Sequence, residues 1–329
     1  MLSDFLRSLR APAFDWIQVE VTSFCNASCN YCPHTVFRDA WTSRHMTLET
    51  FKRLTPAFKK TKLVYLQGWG EPFLNPDFFR MAGIAKHAGC RVGTTTNGIV
   101  LDKDTIDRII RTGLDVLTFS LAHTEPCSDF IRTGARLDMV LAKIRMTAAA
   151  KRLAGADKPA VHVAYLLLRS NREEVKKLPE LLKGLGVDQV VISTLDLPLS
   201  PELEREAFFP RTEEEYEELQ SVLEAVRIEG EHAGIPIHYQ IGYAGRRRVL
   251  CSENIEEAVV IAANGDVHPC VFMNLSAPDA QPDRLTFGNI NNQPLDDIWR
   301  TKAYRRFRKS FYQDRLSPRC LRCSKMFIT

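Results

Sequence analysis

No apolar run in this sequence reaches the length of a membrane span, and its first residues, Met1-Leu2-Ser3-Asp4-Phe5, lack the layout of a signal peptide. Nor is there a strong excess of charge. Lys and Arg total 44 against 40 Asp and Glu, a formal net charge of +4. The longest basic runs, Arg246-Arg247-Arg248 and Arg305-Arg306, are too short to argue for a nucleic-acid partner. Membrane and nucleic-acid roles are therefore not expected. The 329 residues fit one domain of barrel size or two smaller ones. Cysteine is plentiful by contrast. Seven of the nine fall in metal-like spacings, which suits a reducing cytoplasm better than a disulfide framework.

The tightest of these spacings is Cys25-Asn26-Ala27-Ser28-Cys29-Asn30-Tyr31-Cys32, with thiols at i, i+4 and i+7 directly after an apolar run. Three thiolates so placed can hold one soft metal centre. A cubane iron–sulfur cluster prefers four, so one iron would stay open to a small molecule. Three protein ligands plus an open position suggest chemistry rather than a structural staple. The competing readings are a structural zinc knuckle with a distant fourth ligand and three unrelated core cysteines.

Apolar runs at 16–22, 62–67, 90–96, 115–121, 161–168 and 189–195 read as strands. Amphipathic stretches at 47–60, 76–88, 102–112, 137–154 and 172–185 separate them. Such alternation predicts βαβ units and a parallel sheet, as an open sheet or a partial barrel. Ligands of parallel α/β folds bind at the carboxyl ends of the strands. The three-cysteine loop follows the first strand, Gly68-Trp69-Gly70-Glu71-Pro72 the second, Asn97 the third and Ser120 the fourth. Arg169 and Leu195 end the fifth and sixth, and His34, His123 and Glu125 lie just beyond the same rim.

Past a Pro-containing connection over 196–211, a helical stretch runs from Thr212 to about Glu231 and a short strand is expected at 235–240. A second module then begins near Gly245. Ala258–Ala263 and Asp266–Cys270, around Asn264-Gly265, predict a β-hairpin with a two-residue turn that returns Cys270 towards Cys251. A helix from Pro294 to about Phe311 leads to Cys320-Leu321-Arg322-Cys323. These four cysteines can close one site, and zinc and a cubane are both compatible with four thiolates.

Cys-x3-Cys-x2-Cys, with aromatic Tyr31 before its last cysteine, resembles the signature of radical S-adenosylmethionine (SAM) enzymes. That resemblance implies a partial (β/α)6 barrel over 1–195, a bridge over 196–244 and an auxiliary-cluster module over 245–329. It implies a catalytic 4Fe-4S cluster on Cys25, Cys29 and Cys32, with SAM on the open iron, reductively cleaved to methionine and a 5′-deoxyadenosyl radical. Gly68 to Pro72 is similar to the family's Gly-Gly-Glu-Pro motif, with Trp69 in place of a glycine, and implies that Gly68, Gly70 and Glu71 hold the SAM amino group. Asn97, Ser120 and Arg169 would meet its ribose and carboxylate, Leu195 would border the adenine, and Tyr31 belongs to the cluster loop.

Cys251, thirteen residues, Gly265, four residues and Cys270 resemble the opening of the SPASM/twitch extension. Gly288-Asn289-Ile290, Leu295, Ile298-Trp299 and Phe307-Arg308 look like its linker helix. No further cysteines follow before Thr329, which implies one auxiliary 4Fe-4S cluster on Cys251, Cys270, Cys320 and Cys323. Full thiolate ligation favours electron acceptance, hence oxidation or bond formation on an unknown small molecule or peptide, with a flavodoxin or ferredoxin type electron donor. The alternatives are a peptide modifier, a maturase for a metal or pterin cofactor and, outside enzymes, a structural zinc protein. His34, His123 and Glu125 are candidate acid/base groups. Cys90 reads as core, and Cys127 as a rim-loop thiol.

Overall fold

The computed structural model describes residues 14–196, 198–248, 250–277, 284–313 and 315–327. Residues Met1 to Phe5 and Thr329 lie outside the described residues. The strands are β1 (Phe14–Val19), β2 (Ser28–Cys29), β3 (Thr61–Tyr65), β4 (Arg91–Thr96), β5 (Val116–Leu121), β6 (Arg132–Thr133), β7 (Ala160–Leu167), β8 (Gln189–Thr194), β9 (Ile237–Tyr239), β10 (Ala258–Ile261) and β11 (Val267–His268). Nine of them form one sheet in the order β11-β10-β1-β3-β4-β5-β7-β8-β9. From β10 to β9 every neighbour is parallel, and only β11 runs antiparallel. The six expected strands thus lie side by side in chain order as a mostly parallel α/β sheet, the partial barrel, with a small C-terminal α+β region attached.

Alternation along the strands shows how the barrel is built. Val161, Val163, Tyr165 and Leu167 of β7 are buried, whereas His162, Ala164 and Leu166 are only half-buried. The buried set belongs to the main apolar core; the other set faces a cavity inside the barrel. Gly93 of β4 is required there. A Cβ would stand 2.6 Å from the Tyr65 ring, which fills that space instead. Tyr65 Oη then lies 3.1 Å from Thr95 Oγ1 and 2.9 Å from Thr118 Oγ1, a polar network within the barrel wall.

Several helices are shorter than their amphipathic patterns suggest, for local reasons. The stretch 47–60 divides into Leu48–Lys52 and Thr55–Phe58, the second with Pro56 in its first turn. The stretch 172–185 becomes a 3-10 turn, Glu174–Lys177, and a helix, Leu178–Leu182, with Pro179 near its start. The expected helix from Pro294 to Phe311 is two, Leu295–Arg300 and Lys302–Ser310. Thr301 separates them and its hydroxyl accepts from the Tyr304 N–H at 3.3 Å.

The C-terminal hairpin differs in two ways. Its turn holds three residues rather than two: Ala262 N–H donates to the Asp266 carbonyl, and Gly265 adopts φ +89° between them. Its first strand also joins the barrel, with Trp16 opposite Ala258 and Val19 opposite Ile261. The loop of the three-cysteine set and the hairpin that ends just before Cys270 thus spring from neighbouring strands of one continuous sheet.

Candidate active site

A cavity of about 530 Å³ opens at the carboxyl ends of the strands. Of the site residues expected from sequence, it gathers Tyr31, Cys32, Gly68, Trp69, Ser120 and Leu195. Val271 and Phe272, directly after Cys270, line it as well. The cavity therefore borders both the three-cysteine loop and the end of the C-terminal hairpin.

The three-cysteine loop is held by a two-residue ribbon in which Cys29 pairs with Arg132 and Ser28 with Thr133. Arg132 is buried, and its guanidinium donates to the Ser120 carbonyl. The neighbouring Tyr31 and cysteine groups raise its pKa despite burial. Burial is the main cause that pushes the Cys25 and Cys32 thiols up, and the adjacent cysteines add to it. Such thiols resist ionisation until a cation neutralises them, which fits a thiolate-bound metal centre. Asn97 Nδ2 lies 3.8 Å from Cys25 Sγ and donates to Asn26 Oδ1 at 2.8 Å.

The Gly68–Pro72 turn owes its shape to close approach. A Cβ on Gly70 would lie 2.4 Å from the Thr22 carbonyl oxygen and 2.5 Å from that of Phe24. Glu71 is buried behind this turn. Its carboxylate accepts from the Asn97 N–H at 2.7 Å and the Thr96 hydroxyl at 2.9 Å. Burial pushes its pKa up to about 7 against those donors. The side chain thus ties the second strand's loop to the third and does not line the cavity.

Four expected residues stand elsewhere. Arg169 is exposed; its Nε donates to the Ala207 carbonyl at 3.2 Å, and its guanidinium lies 5.0 Å from the Phe208 ring centre. It braces the loop after β8 instead of reaching the cavity. His123 is fully buried, with Nε2 2.8 Å from Asp129 Oδ1, and burial lowers its pKa although Asp129 opposes this. It fastens a loop rather than facing a substrate. Glu125 pairs with Lys177 at 2.5 Å on the surface, and His34 packs edge-on against Trp41 with ring centres 5.4 Å apart. Cys90 is buried with its thiol 3.1 Å from the Phe58 carbonyl, and Cys127 is exposed.

Cys251, Cys270, Cys320 and Cys323 line a second, narrow cavity with Phe272, Phe307, Phe311 and Arg319. Burial raises all four thiol pKa values, that of Cys251 to about 12. Among the described residues no three His, Cys, Asp or Glu side chains converge closely enough to hold a single ion. The donor set, buried Cys323 and half-buried Cys251, Cys270 and Cys320 around one cavity, fits a thiolate-bound cluster.

Three functional neighbours carried little signal in the sequence. Glu20 lies inside an apolar run, yet is fully buried, accepting from the Trp69 N–H at 3.1 Å and the Ala263 N–H at 3.2 Å. An acid within a strand pattern was the available clue. Asp196, one residue past Leu195, also lines the main cavity. Arg132 had no local clue, because its partner strand lies a hundred residues away.

The sequence model of the radical SAM superfamily matches residues 19–182, and that of the SPASM iron–sulfur cluster-binding domain matches 251–324. The chain is 27% identical over 321 residues to the tungsten-containing aldehyde ferredoxin oxidoreductase cofactor-modifying protein of Pyrococcus furiosus, covering 94% of this chain and 87% of that one. It is 25% identical over 283 residues to the PqqA peptide cyclase of Gluconobacter oxydans, covering 85% and 75%. Among solved structures, Streptococcus suis SuiB bound to S-adenosylmethionine shares the fold, with a TM-score of 0.69 at 12% identity over 99% of this chain and 74% of that one. The chain belongs to the radical SAM superfamily and carries a C-terminal SPASM domain. It is an enzyme that uses SAM and 4Fe-4S clusters. Among the described residues no helix is long and apolar enough to cross a membrane.

Proposed function

We infer that this enzyme cleaves SAM in the main cavity and uses the radical to oxidise, or to form a bond within, a substrate bound between the two cysteine sets. The observation that carries this reading is the shared wall: Tyr31 and Cys32 face the same cavity as Val271 and Phe272. Cys25, Cys29 and Cys32 would hold a cubane that would supply the electron for reductive cleavage of SAM to methionine and a 5′-deoxyadenosyl radical, and Cys251, Cys270, Cys320 and Cys323 would hold a second cubane able to accept an electron. The chain's own groups position the reactants. Gly68 lines the cavity, Gly70 lets its loop pack against the Thr22 and Phe24 carbonyls, Glu71 and Asn97 hold that loop, and Ser120 and Leu195 face the bound molecules.

Domain boundaries at 196 and 245 belong to this reading; both fall between the two family matches, which end at 182 and begin at 251. The electron would come from a flavodoxin or ferredoxin type protein in a reducing cytoplasm. Of the substrate classes, maturation of a metal or pterin cofactor is favoured, because the cofactor-modifying relative is 27% identical over 321 residues, against 25% over 283 for the peptide cyclase. A peptide substrate is the second reading, supported by the peptide cyclase relative.

The test is anaerobic reduction of the protein with SAM. The expected result is 5′-deoxyadenosine, with about eight iron atoms per chain. Zinc at the C-terminal site, with iron for one cluster only, would overturn the auxiliary-cluster reading.

A further inference from the structure

Between the main cavity and the four-thiol cavity lies a compact group of buried charges. Asp196, on the main cavity wall, accepts from the Ser324 hydroxyl at 2.6 Å through Oδ1, and its backbone carbonyl accepts from the Ser324 N–H at 3.0 Å. Its Oδ2 is 3.1 Å from Lys325 Nζ. The same ammonium is 3.4 Å from Oε1 of Glu253, which lines the four-thiol cavity and donates its own N–H to Cys251 Sγ at 3.5 Å. The Ser252 N–H donates to the Lys325 carbonyl at 3.1 Å.

Three segments far apart in sequence thus meet on one lysine. Strand β8 leads to Asp196, the Cys251 loop brings Glu253, and the Cys320–Cys323 turn ends in Ser324 and Lys325. Two carboxylates share one ammonium, so this group of three carries a net charge of −1, while the Arg319 guanidinium lines the four-thiol cavity separately. The Lys325, Asp196 and Glu253 side chains are 15%, 7% and 17% exposed, so water screens this charge weakly. Among the described lining residues Asp196 is the only carboxylate on the main cavity wall, and no Lys or Arg shares that wall.

We propose that Asp196 is a positioning residue that clamps the Cys320–Cys323 turn to the cavity wall and, through Lys325 and Glu253, sets the electron affinity of the auxiliary centre. The inference rests on the two-cluster reading. A fixed negative charge nearby disfavours electron arrival, and the ammonium favours it. The two charges therefore act on the same centre with opposite sign, whereas a purely structural brace has no such sign.

Anaerobic redox titration of the holoprotein, followed by electron paramagnetic resonance, tests it. Asp196→Asn is expected to raise the potential of one of the two clusters and leave the other unchanged. Lys325→Met is expected to lower the same potential, and Asp196→Glu to restore a value close to wild type. Circular dichroism and iron content, measured first, check that each variant is folded and loaded. Iron for a single cluster in the wild-type protein would mark failure of the two-cluster reading itself, and the clamp would fall with it. With both clusters loaded, unchanged potentials in Asp196→Asn and Lys325→Met, or shifts of the same sign, would overturn the proposal alone.

Discussion

The indole Nε1 of Trp69 donates to the carbonyl of Asn274 at 2.5 Å, so a residue of the second strand's loop is tied to the segment that follows Cys270. Its ring also lies 6.3 Å from that of Phe272. Trp69 stands where the Gly-Gly-Glu-Pro pattern has a glycine, directly before Gly70. The departure is thus matched by a contact that a glycine could not make. Beneath it, Glu20 accepts from the Trp69 and Ala263 N–H groups, which secures the same junction through the backbone.

This contact leads to the first expectation. Trp69→Gly should loosen the C-terminal region. Release of iron to a chelator should then become several-fold faster for about half of the total iron, with the loss of indole packing costing about 2 kcal/mol. Uniform release, no faster than in wild type, would show that the indole does not brace the C-terminal region.

Gly70 offers a stricter test, because its neighbours are backbone atoms. The Thr22 and Phe24 carbonyl oxygens would stand within 2.5 Å of a new Cβ and cannot swing aside. Gly70→Ala should weaken SAM binding at least about tenfold, measured by equilibrium dialysis of the anaerobic protein, and cost about 2 kcal/mol of stability. Gly83→Ala is the control: nothing lies within 4 Å of its Cβ. It sits within the helix Phe78–His87, so alanine there should be neutral or stabilising by up to about 1 kcal/mol.

Much of the barrel was legible because its strands are short apolar runs separated by helical periods. The six expected ranges overlap β1, β3, β4, β5, β7 and β8. Pro56 and Pro179 explain where helical periodicity overstated helix length. The site was less legible. A position at the rim of a strand does not say which way a side chain turns, so His123 goes to Asp129 and Arg169 to Ala207. Arg132 reaches the cysteine loop through a two-residue ribbon, too short to leave a period in the sequence. Glu20 and Asp196 sit at strand ends, and their partners come from the distant C-terminal region.

Arg169 supplies a direct check on that correction. Since its guanidinium lies against Ala207 and Phe208, Arg169→Ala should leave the rate of 5′-deoxyadenosine formation and the affinity for SAM within about twofold of wild type. A loss of affinity of tenfold or more would mean that the arginine does reach the SAM carboxylate.

Asp115 should dominate the acid sensitivity of the barrel. It accepts from the Val92 N–H at 2.7 Å and from Lys86 at 2.6 Å, and also pairs with Lys158. Burial raises its pKa, but the two lysines and the N–H outweigh this and bring it below the ordinary 3.8. A depressed carboxylate contributes stability that is complete above its unfolded value and is lost as the pH falls through the folded one. Asp115→Asn should therefore cost about 2 kcal/mol at neutral pH, since the Val92 N–H and Lys86 lose a charged acceptor, while Lys158 is more than half exposed and loses little. The gap to wild type should narrow only below about pH 4. Urea denaturation across this range checks it, and a gap independent of pH would remove the charge from the explanation.

The two cysteine sets can be separated by substitution. Converting Cys25, Cys29 and Cys32 together to alanine should abolish 5′-deoxyadenosine formation under strong reductant, because the proposed anchor for SAM reduction is gone. Converting Cys320 and Cys323 should act differently. The three-cysteine loop is held by the ribbon to Arg132, by Asn97 and by the Gly70 turn, none of which needs those two thiols. SAM cleavage should persist in part while product formation disappears, since the radical is still made but its electron has nowhere to go. The same double substitution also disturbs the Ser324 and Lys325 turn and can unfold the C-terminal region, because metal binding and folding are coupled there. Circular dichroism on the same sample distinguishes the two. A folded double variant that cleaves SAM without product locates electron acceptance at the second site. One that still makes product at the wild-type rate would show that the C-terminal cluster is structural.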